Sequence, residues 1–147
     1  MSQKTGEYAG DLDVAEAWKL LSSDPKAQII DVRTAAEWTY VGLPDLSGLG
    51  RGIHTIEWQS FPEMEINEDF TEIASDALRR SGVEHGTPIL MLCRSGARSR
   101  AAAIALTRAG FRHAYNIAGG FEGDVDQQGH RGHRNGWKAA GLPWRQG

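Results

Sequence analysis

A second cysteine is missing from the 147-residue chain, so Cys93 has no partner for an intramolecular disulfide, a Cys-x-x-Cys redox pair or a cysteine-rich zinc site. Also missing is any window approaching the ~18 consecutive apolar residues of a membrane-spanning helix. The stretch Met1-Ser2-Gln3-Lys4-Thr5-Gly6-Glu7 has no apolar h-region. The expectation from these absences is a soluble, cytoplasmic protein without a membrane partner. A charge excess of one sign is absent as well: 19 acidic against 16 basic side chains leave a net charge of −3, which gives no footing for nucleic-acid binding. No internal repeat or low-complexity segment is present.

What the chain does have is enough length for one ordinary domain with a core that needs neither disulfides nor metal. Asp13 followed by Glu16 resembles a capping box, and Val14, Ala17, Trp18 and Leu21 keep helical spacing behind it. Gln28-Ile29-Ile30-Asp31-Val32-Arg33 has the length of a buried strand that ends in charge. A closer capping-box match, Thr34-Ala35-Ala36-Glu37, starts a short helix that Gly42 and Pro44 close. Loop chemistry from Leu43 to Gly52 precedes a strand-like Ile53–Trp58. Phe70, Ile73, Ala74, Ala77 and Leu78 line one face of an amphipathic helix, with Asn67 as its expected N-cap and Gly82 past its end. Ile89–Leu92 is a further strand, Ala101–Ala109 a helix stopped by Gly110, and His113–Ile117 a last strand. The remainder is loop from Glu122, then a helical turn at Trp137–Ala140 and a Leu142-Pro143-Trp144 tail.

Alternating strands and helices predict an α/β domain with a mainly parallel central sheet and helices on both faces. The boundaries read as a lead-in over 1–10 and one domain over 11–147, with an elaborated loop at 123–135. In such sheets ligands bind beyond the carboxyl ends of the strands. Cys93 stands at such an end, before a polar loop with Gly96 and the N-terminus of a helix. Backbone N–H groups there, with Arg94, Arg98 and Arg100, suit a thiolate and an anion together. A thiolate could attack a sulfane sulfur, a phosphorus or arsenic centre, or a carbonyl carbon. Cysteine-dependent phosphatases and some arsenate reductases use Cys-x5-Arg, whereas Ser99 holds that position here and Arg98 gives the shorter Cys-x4-Arg.

Taken together, Ile29-Ile30-Asp31-Val32-Arg33 with Glu37-Trp38, the loop Cys93-Arg94-Ser95-Gly96-Ala97-Arg98-Ser99, Gly110-Phe111, and Asn116-Ile117-Ala118-Gly119-Gly120-Phe121 make the chain resemble single-domain rhodanese-like sulfurtransferases over residues 11–144. The resemblance implies transfer of a sulfane sulfur from thiosulfate or a persulfide donor to cyanide, a thiol or a protein thiol, through a persulfide on Cys93. It implies that the amides of Arg94, Ser95, Gly96, Ala97, Arg98 and Ser99 stabilise the persulfide, and that Arg94 and Arg98 attract the donor's sulfonate. Asp31 and Arg33 are expected as supporting residues, and neither a cofactor nor a metal is required. A non-catalytic protein-binding or sulfur-carrier module is the alternative, followed by a phosphatase or arsenate reductase. Family members commonly carry Gly-His-Ile-Pro-Gly-Ala after the glutamate-aromatic pair; here Gly42-Leu43-Pro44-Asp45 lacks the histidine. This departure and the 123–135 loop fall where they reshape the mouth of the site. His130 and His133 lack a clear third ligand and are expected on a solvated surface. The five tryptophans are scattered, which suits core packing or a hydrophobic clasp for the C-terminal tail better than a stacking platform.

Overall fold

A run of four residues, Ile89–Leu92 (β7), is buried at every position, which requires apolar cover on both faces of the strand. The computed structural model, which describes residues 7–60, 63 and 65–146, supplies that cover. β7 pairs in parallel with Gln28–Asp31 (β2) on one side and Ala114–Ile117 (β8) on the other. Gly10–Leu12 (β1) extends the sheet beyond β8, and His54–Thr55 (β4) extends it beyond β2. The order is β1-β8-β7-β2-β4, parallel throughout.

Strand alternation sends successive side chains to opposite faces. Ile30, Val32, Ile89, Met91 and Cys93 pack with Phe70, Ala74 and Leu78 of helix Phe70–Arg80 (α3) and with Ala102, Ala103 and Leu106 of helix Ala97–Arg108 (α4). Ile29, Leu90, Leu92 and Ile117 pack on the other face with Ala17 and Leu21 of helix Val14–Ser23 (α1), Phe121 and Trp137. Helices therefore flank the sheet on both faces. Among the described residues no helix is long and apolar enough to cross a membrane.

Both capping boxes form. Asp13 and Glu16 bond reciprocally at α1, and Thr34 and Glu37 do so at helix Ala35–Tyr40 (α2). The N-cap of α3 differs from the expectation: it is Asp69, with no side-chain cap. Asn67 is occupied elsewhere, since its Oδ1 accepts the Asp69 N–H at 3.1 Å and its Nδ2 donates to the Glu57 carbonyl at 3.0 Å. The Ile53–Trp58 segment is a ladder only at His54–Thr55, although Ile56 and Trp58 continue to donate to the carbonyls of Asp31 and Val32. Three further pieces carry too few residues to declare themselves in sequence. Leu43–Pro44 (β3) pairs antiparallel with Trp144–Arg145 (β9), Gln59–Ser60 (β5) pairs with Glu65–Ile66 (β6), and Ser47–Leu49 forms a 3-10 turn. The expected clasp is present: Trp137 is fully buried, meets Trp18 edge-on and donates Nε1–H to the Pro143 carbonyl at 2.7 Å.

Behind β7 the chain crosses the cysteine loop at Gly120. There φ is +61°, and a Cβ would stand 2.6 Å from the Arg94 carbonyl and closer still to the Cys93 oxygen. Only glycine fits such an approach of backbone to backbone. Gly120→Ala is therefore expected to lower stability by about 2–4 kcal/mol. Urea unfolding followed by tryptophan fluorescence checks this; an unchanged midpoint would contradict it.

Candidate functional site

Past Leu92 the strand gives way to Cys93, Arg94 and Ser95, and α4 begins at Ala97 with Gly96 as N-cap at φ +124°. The loop is thus shorter than its sequence suggests, because Ala97, Arg98, Ser99 and Arg100 already belong to the first turn of the helix. No side chain caps α4. Its leading N–H groups have no carbonyl partner within the helix and carry the positive end of the helix dipole. The Gly96 N–H donates to Cys93 Sγ at 3.1 Å, and Ser99 Oγ lies 3.1 Å from the same sulfur.

Cys93 is 1 % exposed and forms part of the floor of an open cleft of about 690 Å³. Arg94, Ser95, Ala97 and Arg98 line it from the cysteine loop, while Gly96 and Ser99 reach the sulfur from behind. Ser99 is fully buried, and its Oγ also stands 2.5 Å from Asn116 Oδ1 and 3.2 Å from the Gly96 carbonyl. Asn116 Nδ2 in turn donates to Asp11 Oδ1, which accepts the Tyr8 hydroxyl as well. A short polar chain thus runs from the sulfur to the edge strand β1.

Arg98 does not stand unpartnered in the cleft. It grips Glu37 with two bonds, Nη1 to Oε1 at 2.7 Å and Nη2 to Oε2 at 2.9 Å. Burial pushes the Glu37 carboxyl up, but the hydrogen bonds and charge of Arg98, with the Thr34 backbone N–H, outweigh it and hold the carboxyl below its ordinary range. Burial likewise draws Arg98 down, and Glu37 more than reverses the effect. Arg100 leans away, toward the Tyr8 ring at 5.8 Å.

Asp31 and Arg33 are brought to each other and not to the cleft. Both are fully buried, and Arg33 Nη2 meets Asp31 Oδ2 at 2.6 Å and the Gly42 carbonyl at 2.6 Å. Residues 31 and 33 point to the sheet face opposite Cys93, where the Arg33 guanidinium lies 4.3 Å from the Phe121 ring centre. Sequence reasoning had no place in the site for Thr34 and Glu37, whose capping box was legible as helix chemistry alone. The signal lay in where that box stands: directly after a parallel strand, on the edge where Cys93 also emerges. Glu122 and Arg131, also in the cleft wall, come from the segment read as loop.

Since its folded carboxyl is held low, Glu37 contributes stability that is present above its unfolded value near 4.5 and is lost as pH falls through the lower folded value. Glu37→Gln is expected to destabilise the protein at neutral pH, and the gap from wild type should narrow as pH drops below about 4.5. Urea midpoints across that range check it; a gap independent of pH would contradict the ion pair.

Residues 10–147 match the family model described as STR4 middle domain. An uncharacterized protein of Rickettsia conorii, RC0915, is 36% identical over 129 residues, covering 88% of this chain and 91% of that protein. A thiosulfate sulfurtransferase, GlpE, of Actinobacillus succinogenes is 27% identical, over 86% of this chain and 82% of its own length. The crystal structure of Rv0390 from M. tuberculosis superposes with a TM-score of 0.82 at 47% identity, covering 95% of this chain and 99% of that one. A polysulfide-sulfur transferase from Wolinella succinogenes shares the fold at 24% identity and a TM-score of 0.55, covering 93% of this chain and 78% of that one. With the parallel sheet and the cysteine loop at its carboxyl edge already described, the chain belongs to the STR4 middle-domain family, a family of rhodanese-like domains.

Proposed function

We propose that the chain is a sulfurtransferase that carries a sulfane sulfur on Cys93. The observation that supports this most strongly is the setting of the sulfur. Cys93 Sγ has the Gly96 N–H and the Ser99 hydroxyl at 3.1 Å, at the uncapped N-terminus of α4 and at the floor of an open cleft. Donors fixed around a sulfur stabilise a negative charge on it or on a second sulfur bonded to it. Cys93 is thus the catalytic nucleophile, and Gly96 and Ser99 hold its charge.

In the first half-reaction the thiolate attacks the outer sulfur of thiosulfate. A Cys93 Sγ–S bond forms, the sulfur–sulfur bond of the donor breaks, and the electron pair leaves with sulfite. In the second, cyanide or a thiolate attacks the outer sulfur of the persulfide; the Sγ–S bond breaks and its electron pair restores the Cys93 thiolate. Each half-reaction conserves charge and needs no redox cofactor. Support from relatives comes from the thiosulfate sulfurtransferase of A. succinogenes. The open mouth, beside which Tyr40 is 77% exposed, gives room for a protein thiol as acceptor as well as for a small molecule.

The short loop weighs against phosphate or arsenate chemistry. Three residues, Arg94–Gly96, separate Cys93 from the first residue of α4, and Arg98 comes one position earlier than the arginine of Cys-x5-Arg. Arg98, in the first turn of α4, is turned to Glu37.

Incubation with thiosulfate is expected to add one sulfur atom to Cys93 by mass spectrometry and, with cyanide, to yield thiocyanate. Cys93→Ser should do neither, and turnover by that variant at the wild-type rate would end the proposal. Ser99→Ala removes one of the donors to the sulfur, and a hydrogen bond to a charged group contributes about 1.5–3 kcal/mol, so transfer should slow by about tenfold or more. Single-turnover persulfide formation measures it.

A further inference from the structure

Much of the 123–135 segment is exposed, yet one of its side chains, Arg131, lines the cleft beside the cysteine loop. The backbone N–H groups of Glu122 and Gly123 both donate to the Arg94 carbonyl at 3.0 Å, and the Phe121 N–H donates to the Cys93 carbonyl at 2.8 Å. The loop returns to this point, because the Gly132 N–H donates to the Glu122 carbonyl at 2.7 Å. Arg131 Nη1 donates to the Gly123 carbonyl at 2.6 Å. Its guanidinium is thus tied to the residue whose N–H holds Arg94, and the half-buried side chain forms part of the wall above Cys93. An arginine in a glycine-rich surface loop ordinarily samples many rotamers and loses that freedom when it binds; this one is ordered beforehand.

Five charged side chains line the cleft: Glu37, Arg94, Arg98, Glu122 and Arg131. Arg98 and Glu37 offset each other through their paired bonds. Glu122 acts also on the Lys138 ammonium outside the cleft. Neither Arg94 nor Arg131 has an acidic hydrogen-bond partner among the described residues. These two are therefore the cations left to meet an anion over the sulfur.

We infer that Arg131, together with Arg94, recognises the oxyanion end of a small sulfane-sulfur donor of the thiosulfate type and so determines donor specificity. The inference rests on the sulfurtransferase reading for its chemistry, and it gives the sulfonate to Arg131 where the resemblance had given it to Arg98. With Nη1 engaged by Gly123, the Nε and Nη2 edge of the guanidinium remains for a bidentate contact to oxygen. A thiolate approaching a dianionic donor is repelled, and two cations at the far end of the donor offset that repulsion. They then hold the sulfite that departs with the electron pair of the broken sulfur–sulfur bond.

The test joins a binding measurement to turnover. Thiosulfate is titrated calorimetrically into the full-length Cys93→Ser protein and into Cys93→Ser/Arg131→Ala. The double variant is expected to bind about tenfold more weakly, as for loss of one charged hydrogen-bonding group. In turnover, Arg131→Ala should raise KM for thiosulfate by a similar factor with a smaller change in kcat, and Arg131→Lys should recover part of the loss. Loading of Cys93 from dissolved elemental sulfur, an uncharged donor, should fall far less than loading from thiosulfate. Equal thiosulfate affinity in the two Cys93→Ser proteins would overturn the inference, as would equal losses with both donors. Arg131-dependent thiosulfate binding without any sulfur transfer would uphold the anion site and remove the sulfurtransferase reading.

Discussion

The site depends on one contact between two stretches of backbone. Where the chain leaves β8 and turns at Gly120, it passes so close behind Cys93 and Arg94 that no side-chain carbon fits between them. Carbonyl oxygens of both residues are taken up there by the N–H groups of Phe121, Glu122 and Gly123. With those oxygens satisfied from behind, the Gly96 N–H is turned to the Cys93 sulfur. A loop of this kind needs its polarity sorted into two sides, and a side-chain contact could do so only loosely. The same crossing sets Phe121 into the second core cluster and Glu122 into the cleft wall, which ties core and site to one short segment.

Two ion pairs divide the remaining electrostatics. Asp31 and Arg33 are both withdrawn from water, and a pair of that kind gains little net stability because desolvation of the two charges opposes their attraction. Its geometry matters more: Arg33 joins the end of β2 to the Gly42 carbonyl beyond α2, which fixes how α2 leaves the sheet. The second pair, Arg98 with Glu37, then joins α2 to α4 across the cleft. The shape of the cleft is therefore maintained by charge, while Arg94, Arg131 and Glu122 are the other charged groups of its wall.

Local chemistry made much of this legible in the sequence. Asp13 with Glu16 and Thr34 with Glu37 state their helices within four residues, and the run Ile89–Leu92 states a doubly covered strand. What could not be read was whatever depends on a distant partner. Gly10–Leu12 is a strand because β8 lies beside it, not because three residues with a glycine favour one. Leu43–Pro44 and Trp144–Arg145 are ordered by each other. Arg98 stands at the position the loop spacing gives it, but its carboxylate partner is 61 positions away in the chain and leaves no local pattern. Asp31 and Arg33 are legible as support residues at the end of a strand, but that they bond each other and the Gly42 carbonyl depends on the path of the chain beyond α2. Arg131 had no sequence signal at all, since a glycine-rich loop has no periodicity from which a direction can be taken.

The Ser99 hydroxyl carries one hydrogen and has three acceptors within reach: Cys93 Sγ, the Gly96 carbonyl and Asn116 Oδ1. It can satisfy one of them at a time. A change of charge at the sulfur can thus be answered by rotation of a single C–O bond, with every heavy atom of the buried network left in place. A shift of charge at the sulfur would then be met by the position of one proton, and the packed interior around Met91 and Ala102 would have no need to yield.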